Sequence, residues 1–403
     1  MQANKRNRNR TRLPPEVWHR IIAIRVEDRE PARTEARGRV TEGHRSVVNL
    51  GEVCRELYWV SRRYVWESVV VEPPSEVEEF ATRACRAVPG ELDVLGSYIR
   101  DLKVTIGASR PFNPCWLYTL FIATTRLNKL DIYICSEEGP DQVVETMPYP
   151  MLLAIDTARP PLRHVILSDP SHLPTVAQLD VLVAASPTLD RVELQGCRGE
   201  RQDRDLYSST RGTASAVLFV RLDGGGDTER GLNELAVGWN VGRIEELWVN
   251  EGVDLTPWLM RYGGGLRRLT CSATQLAFYQ QEDVLEKWCG QLESLTLYLG
   301  YGGMNPGKLP GTVRDIQLIT AKGATREAEA ERSNYVEEFL EDVMTQEGQQ
   351  ARRVRVDVRR RAMEDWLDGN GEGTEDEGIE LIFEAKDAET DTEESEVDDT
   401  YSD

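Results

Sequence analysis

Leu127-Asn128-Lys129-Leu130-Asp131-Ile132 is the stretch that decides the architecture. Its apolar residues stand at i, i+3 and i+5, and the same spacing recurs along the chain. Ile99-Leu102-Val104 precedes it; Leu162-Val165-Leu167, Leu189-Val192-Leu194 and Val217-Val220-Leu222 follow. Then come Ile244-Leu247-Val249, Leu266-Leu269-Cys271, Leu292-Leu295-Leu297 and Val313-Ile316-Leu318. The starts lie 28, 35, 27, 28, 27, 22, 26 and 21 residues apart. Between them lie helix-like segments, among them Ser75–Val88, Pro114–Thr125, Val176–Ala185, Leu255–Tyr262 and Glu282–Cys289. Strand alternating with helix favours a parallel sheet with helices on one side. No single unit can bury its apolar face alone, so stacking creates the core.

That spacing resembles the short inward strand of a leucine-rich repeat, and the intervals sit near the roughly 20–29 residues of such repeats. The expected fold class is therefore α/β: an N-terminal helical domain followed by an irregular leucine-rich-repeat-like solenoid over residues 73–363. A regular asparagine ladder is lacking, with only Asp169 and Asn250 near such a position. A different α/β fold with similar local patterning is the alternative. Glu327–Gln346 reads as an amphipathic helix with Tyr335, Val336, Phe339, Leu340, Val343 and Met344 on one face. A last strand is expected around Ala351-Val354-Val356.

The formal charge of −21 over 403 residues is unevenly spread. Glu364–Asp403 holds 18 acidic residues and one basic one, leaving −4 for everything upstream. Residues 364–403 are expected to be a disordered acidic tail, with Ile379, Leu381, Ile382 and Phe383 as its one apolar island. A strongly basic nucleic-acid-binding body is excluded, and nucleic acid is not expected as a partner. No apolar run approaches the roughly 18 residues of a spanning helix. No signal-peptide core follows the basic arm of residues 1–12, which is expected to be disordered. Seven scattered cysteines without a CxxC pair fit reduced thiols, so a cytoplasmic and/or nuclear location is expected.

Downstream of that arm, Leu13-Pro14-Pro15-Glu16 starts a helix: proline suits a first turn, and Glu16 complements the positive end of the helix dipole. Val17, Trp18, Ile21, Ile22 and Ile24 form an apolar face. After a charged loop from Arg25 to Arg45, helical periodicity returns through Val53, Cys54, Leu57, Tyr64 and Trp66. LPPEVWHRIIAI followed by VVNLGEVCRELYWVSRRYVWESV resembles an F-box in the form common among fungal proteins. The matching features are Leu13–Val17, Ile21-Ile22, Val53-Cys54-Arg55, the aromatic Tyr58 and Trp66–Val69. The loop departs from the family, running about 15 residues longer than usual. The F-box-like domain then spans residues 13–72.

The resemblance implies docking to the Skp-type linker protein of an SCF-type cullin–RING ubiquitin ligase. The linker-binding candidates are Leu13, Pro14, Ile21, Ile22, Val53, Cys54, Leu57 and Trp66. Their role is that of apolar anchors desolvated at the centre of a helix-to-helix interface. The repeat domain would hold a protein substrate, whose identity the sequence does not give. The alternative is an interaction scaffold whose F-box-like segment is only a helical cap.

Catalytic motifs fail on inspection. Gly302–Lys308 has the glycine and lysine spacing of a phosphate loop, but Leu309 stands where Ser or Thr would hold magnesium. Four histidines leave little material for a zinc site or a triad. No enzyme activity, cofactor or metal is expected.

Overall fold

Alternation of side chains along a strand sends Leu102, Val104 and Ile106 to one face and Asp101, Lys103 and Thr105 to the other. The first set is buried to within 1% of complete exclusion from solvent. The structure is a computed structural model. It describes residues 63–64, 66–72, 74–88, 93–107, 113–135, 147–168, 173–197, 217–224, 229–250, 252–277, 283–299, 308–320, 352–356 and 379–383. Val17, Arg20 and the helical residues 334, 336–341 and 343 are described as well.

Two compact units divide the chain, Met1–Gly242 and Arg243–Asp403. The first unit holds strands β1 (Ser68–Val71), β2 (Asp101–Gly107), β3 (Lys129–Cys135), β4 (His164–Ser168), β5 (Arg191–Cys197) and β6 (Phe219–Gly224). Each pairs in parallel with its successor. Helices α1 (Val77–Ala84), α2 (Cys115–Ala123), α3 (Tyr149–Ala158) and α4 (Val176–Ala185) connect them, and α5 (Glu229–Gly238) follows β6. Consecutive helices from α1 to α4 pack against one another. The core is one register row after another: Leu102, Leu130, Val165, Val192 and Val220 are mutual partners across five strands. Leu120, Phe121, Leu152, Ile155, Leu179 and Leu182 are buried from the helices. Each such aliphatic side chain contributes roughly 1.5–3 kcal/mol on leaving water.

Local chemistry sets where the helices begin. Thr175 and Gln178 form a capping box ahead of α4: Thr175 Oγ1 accepts from the Gln178 N–H at 3.2 Å, and Gln178 Oε1 accepts from the Thr175 N–H at 2.9 Å. Gln178 Nε2 then donates to the Met147 carbonyl at 3.1 Å, tying α4 to the start of α3.

The second unit holds β7 (Glu246–Val249), β8 (Arg268–Ser272), β9 (Ser294–Leu299), β10 (Asp315–Thr320), β11 (Arg352–Val356) and β12 (Ile379–Phe383), again parallel and consecutive. Its helices are α6 (Thr256–Tyr262), α7 (Ala273–Ala277) and α8 (Val284–Trp288). Leu247, Leu269, Leu295, Ile316 and Val354 form its register row. Val336, Phe339, Leu340 and Val343 are fully buried, as the amphipathic spacing predicts.

The fold expected from sequence is corrected. Twelve parallel strands with interleaved helices make an α/β sheet architecture, in place of a helical F-box followed by an irregular leucine-rich-repeat-like solenoid and a disordered tail. The physical reason is that the i, i+3, i+5 spacing reports which strand residues face a core. It does not report how the strands and helices are arranged into a fold. Both ends depart as well. Ser68–Val71, inside the segment expected to be helical, is strand β1 and pairs with β2. Ile379–Phe383, the apolar island of the acidic tail, is strand β12 and pairs with β11. The basic arm, the long loop after Arg25, Gly302–Gly307 and residues 384–403 lie outside the described residues.

Candidate functional site

In open α/β sheets ligands favour the crevice where strand order reverses. Within each unit here the order of the described strands runs consecutively, so the sheet faces themselves are the place to look. In the first unit, the face turned away from the core carries two rows of side chains in register. Asp101, Lys129, His164, Arg191 and Phe219 form one; Lys103, Asp131, Ile166, Glu193 and Arg221 form the next.

Glu193 is the centre of this face. Its side chain is 4% exposed, and four side chains converge on it. Arg191 Nε donates to Oε1 at 2.7 Å and Gln195 Nε2 donates to Oε2 at 2.5 Å. His164 Nε2 meets Oε1 at 2.8 Å from β4, and Arg221 Nη1 lies 3.8 Å from Oε2 on β6. Residues 191, 193 and 195 share a face because they alternate along β5; His164 and Arg221 arrive only through cross-strand register. Burial alone would push the Glu193 carboxyl upward. The hydrogen bonds from His164, Gln195 and Arg191 overcome that and hold it at about 2. An ionised carboxylate only accepts, so the proton in this contact sits on His164 Nε2, which donates to Glu193 Oε1.

The neighbouring acids behave in the opposite sense. Burial raises Asp131 despite the opposing charges of Lys103 and Lys129 and a hydrogen bond from Ser168. Its Oδ1 is buried without a hydrogen-bond partner, while Oδ2 lies 3.9 Å from Lys103 Nζ. Burial likewise raises Asp101, against Lys129, Arg100 and His164. The cations differ in reach. Arg191 stacks its guanidinium 3.9 Å from the Phe219 ring centre yet stays 44% exposed. Lys129 is half-buried and Arg163, just before β4, is exposed; neither makes an ion pair with a described residue. The second unit instead matches its charges along one row: Arg268 pairs with Glu246 at 2.5 Å, and Arg353 pairs with Asp315 at 3.6 Å and Glu380 at 2.9 Å.

Of the sequence-predicted linker-binding residues, Leu13, Pro14, Ile21, Ile22, Val53, Cys54 and Leu57 lie outside the described residues. Trp66 is described. It stacks on Phe80 of α1 with ring centres 5.1 Å apart, and packs against the buried cluster of Val88, Leu95 and Tyr98. It also borders an open groove along α1 lined by Glu78, Glu79, Thr82, Arg83 and Arg86. One residue later the Glu67 carbonyl accepts from the Arg100 N–H at 2.9 Å, where β1 begins its pairing.

No group of three or more His, Cys, Asp or Glu side chains is placed to hold a metal ion among the described residues. Burial and the neighbouring Cys289 push the Cys271 thiol up, and burial pushes Cys289 up to about 12. Both are packed hydrophobes rather than nucleophiles. Lys308, the lysine of the discarded phosphate-loop motif, pairs with Glu286 at 2.7 Å. No described helix is long and apolar enough to cross a membrane. No family model matches the chain, and no curated protein matches it.

Sequence reasoning missed Glu193 and its partners. Arg191-Val192-Glu193-Leu194-Gln195 does carry a signal, since three polar residues alternate with two core residues. His164 and Arg221 carry none, because their convergence depends on register across strands.

Proposed function

We propose that the chain is a substrate-recognition adaptor of an SCF-type cullin–RING ubiquitin ligase. The observation that carries this reading is the ordered set Leu13–Val17, Ile21-Ile22, Val53–Arg55 and Trp66–Val69, which is similar to an F-box. The N-terminal segment docks the Skp-type linker, with Leu13, Pro14, Ile21, Ile22, Val53, Cys54 and Leu57 as its apolar anchors. The parallel sheet, which follows Trp66 almost immediately, holds a protein substrate. Such an adaptor calls for no catalytic residue of its own: it accelerates ubiquitin transfer by raising the effective concentration of substrate near a recruited conjugating enzyme. It works in the cytoplasm, the nucleus or both, where that ligase operates.

The test is co-purification of the full chain with the linker. Leu13→Ala combined with Pro14→Ala abolishes it and leaves the circular dichroism of the sheet unchanged. Linker binding at wild-type strength by that variant overturns the assignment.

The stacking of Trp66 on Phe80 favours a second reading, an interaction scaffold in which the F-box-like segment serves as a helical cap. A wild-type chain that fails to retain the linker at all decides for the scaffold.

A further inference from the structure

We propose that the sheet face centred on Glu193 is the substrate-docking surface, and that it takes an extended, carboxylate-rich segment of a partner protein. This rests on the adaptor reading for its biological role, though not for its chemistry. The argument is the vertical separation of charge on that face. Its carboxylates are short and recessed: Glu193 is 4% exposed and Asp131 20%. Its cations are long and reach water: Arg191 is 44% exposed and Lys103 45%, and Lys129 is half-buried. A partner approaching from solvent therefore meets positive tips first.

The Arg191 tip is also fixed in place. Glu193 spends its acceptor sites on Arg191 Nε, Gln195 Nε2 and His164 Nε2, which leaves the terminal guanidinium N–H groups of Arg191 for a partner. Arg191 is held a second time by Phe219, 3.9 Å beneath it. Ordering a free arginine costs side-chain entropy on binding, and a buried carboxylate that has already ordered it removes that cost. Spacing then selects the partner's conformation. Lys129 and Arg191 belong to one register row, two strands apart, which corresponds to about 9.5 Å at the usual strand separation. Carboxylates three residues apart on a chain extended as a polyproline-II helix, which repeats every three residues, lie on one side about 9.3 Å apart. Nucleic acid fits less well: the cations are few and interleaved with Asp101 and Asp131, and the chain as a whole carries −21.

The experiment uses the full chain and a fluorescein-labelled peptide of about twelve residues with glutamate at every third position, read by fluorescence anisotropy. Wild-type protein binds the peptide, and the affinity falls as salt rises from about 50 to about 300 mM. Lys129→Gln weakens binding about tenfold while the circular dichroism of the folded sheet is unchanged. The glutamine-substituted peptide does not bind. Equal binding by Lys129→Gln, no binding at low salt, or displacement by an oligouridine at lower concentration than by unlabelled peptide each overturns the proposal. The Leu13→Ala, Pro14→Ala chain separates the two claims. It keeps the peptide while losing the linker if both hold, and a wild-type chain that binds only one of the two probes identifies which claim has failed.

Discussion

His164 Nε2 lies 2.8 Å from Glu193 Oε1, joining β4 to β5 on the face of the sheet turned away from its core. That face would ordinarily be left to solvent, yet Glu193 is among the buried polar residues of the described structure. A charge so placed is tolerated only because Arg191, Gln195, His164 and Arg221 surround it.

Removing the carboxylate leaves those donors without their shared acceptor. Glu193→Ala is expected to cost about 3 kcal/mol of stability, measured by urea unfolding followed at the far-ultraviolet helix signal. A loss below about 0.5 kcal/mol, the usual range for a surface substitution, contradicts the network.

The same group sets a pH dependence whose sign is fixed. The Glu193 carboxyl is held at about 2, below its ordinary value of 4.5, so its stabilisation is complete above 4.5 and drains away as pH falls toward 2. Wild type and Glu193→Gln should therefore differ in urea midpoint at pH 6 and converge as the pH approaches about 2. Asp131 works in the opposite sense, since burial raises it and so penalises its ionised form in the folded protein relative to the unfolded chain. Asp131→Asn should leave stability unchanged or higher at neutral pH; a clear loss there means the Lys103 contact outweighs desolvation.

Trp66 separates a packing role from a docking role. Its ring stacks on Phe80 at 5.1 Å and covers Val88, Leu95 and Tyr98. Trp66→Ala is expected to cost about 2 kcal/mol, less than a fully buried tryptophan because the ring is partly exposed. Combined with Phe80→Ala it should show a coupling of about 1 kcal/mol in a double-mutant cycle. Additive effects mean that the stack contributes nothing.

Gly96 marks a place where backbone and helix meet too closely for a side chain. A Cβ there would lie 2.8 Å from both the Cβ and the carbonyl oxygen of Ala123, at the end of α2. Gly96→Ala should destabilise by about 2 kcal/mol through overpacking, read as a lowered thermal midpoint. An unchanged midpoint shows that α2 can move aside.

The strands were legible because their evidence is local. Leu130 and Ile132, or Leu295 and Leu297, alternate within a few residues, and each is now a buried core position on the strand expected. Ser68–Val71 was not legible, since VWESVVV joins a helical periodicity to a strand with no break between them. Ile379–Phe383 was hidden by composition: acidic surroundings read as a solvated tail, while pairing with β11 is non-local. The global arrangement failed for the same reason, because spacing along one strand says nothing about the fold that a dozen of them build. Glu193 shows the limit most plainly. Alternation with Val192 and Leu194 places it on the outer face, but only register brings His164 and Arg221 to it.

Adaptor function is the central claim, and titration calorimetry of the full chain with the purified Skp-type linker tests it most directly. The account predicts saturable one-to-one binding that Leu13→Ala with Pro14→Ala removes and Lys129→Gln leaves intact. No heat of binding from a wild-type chain whose circular dichroism shows a folded sheet would contradict it.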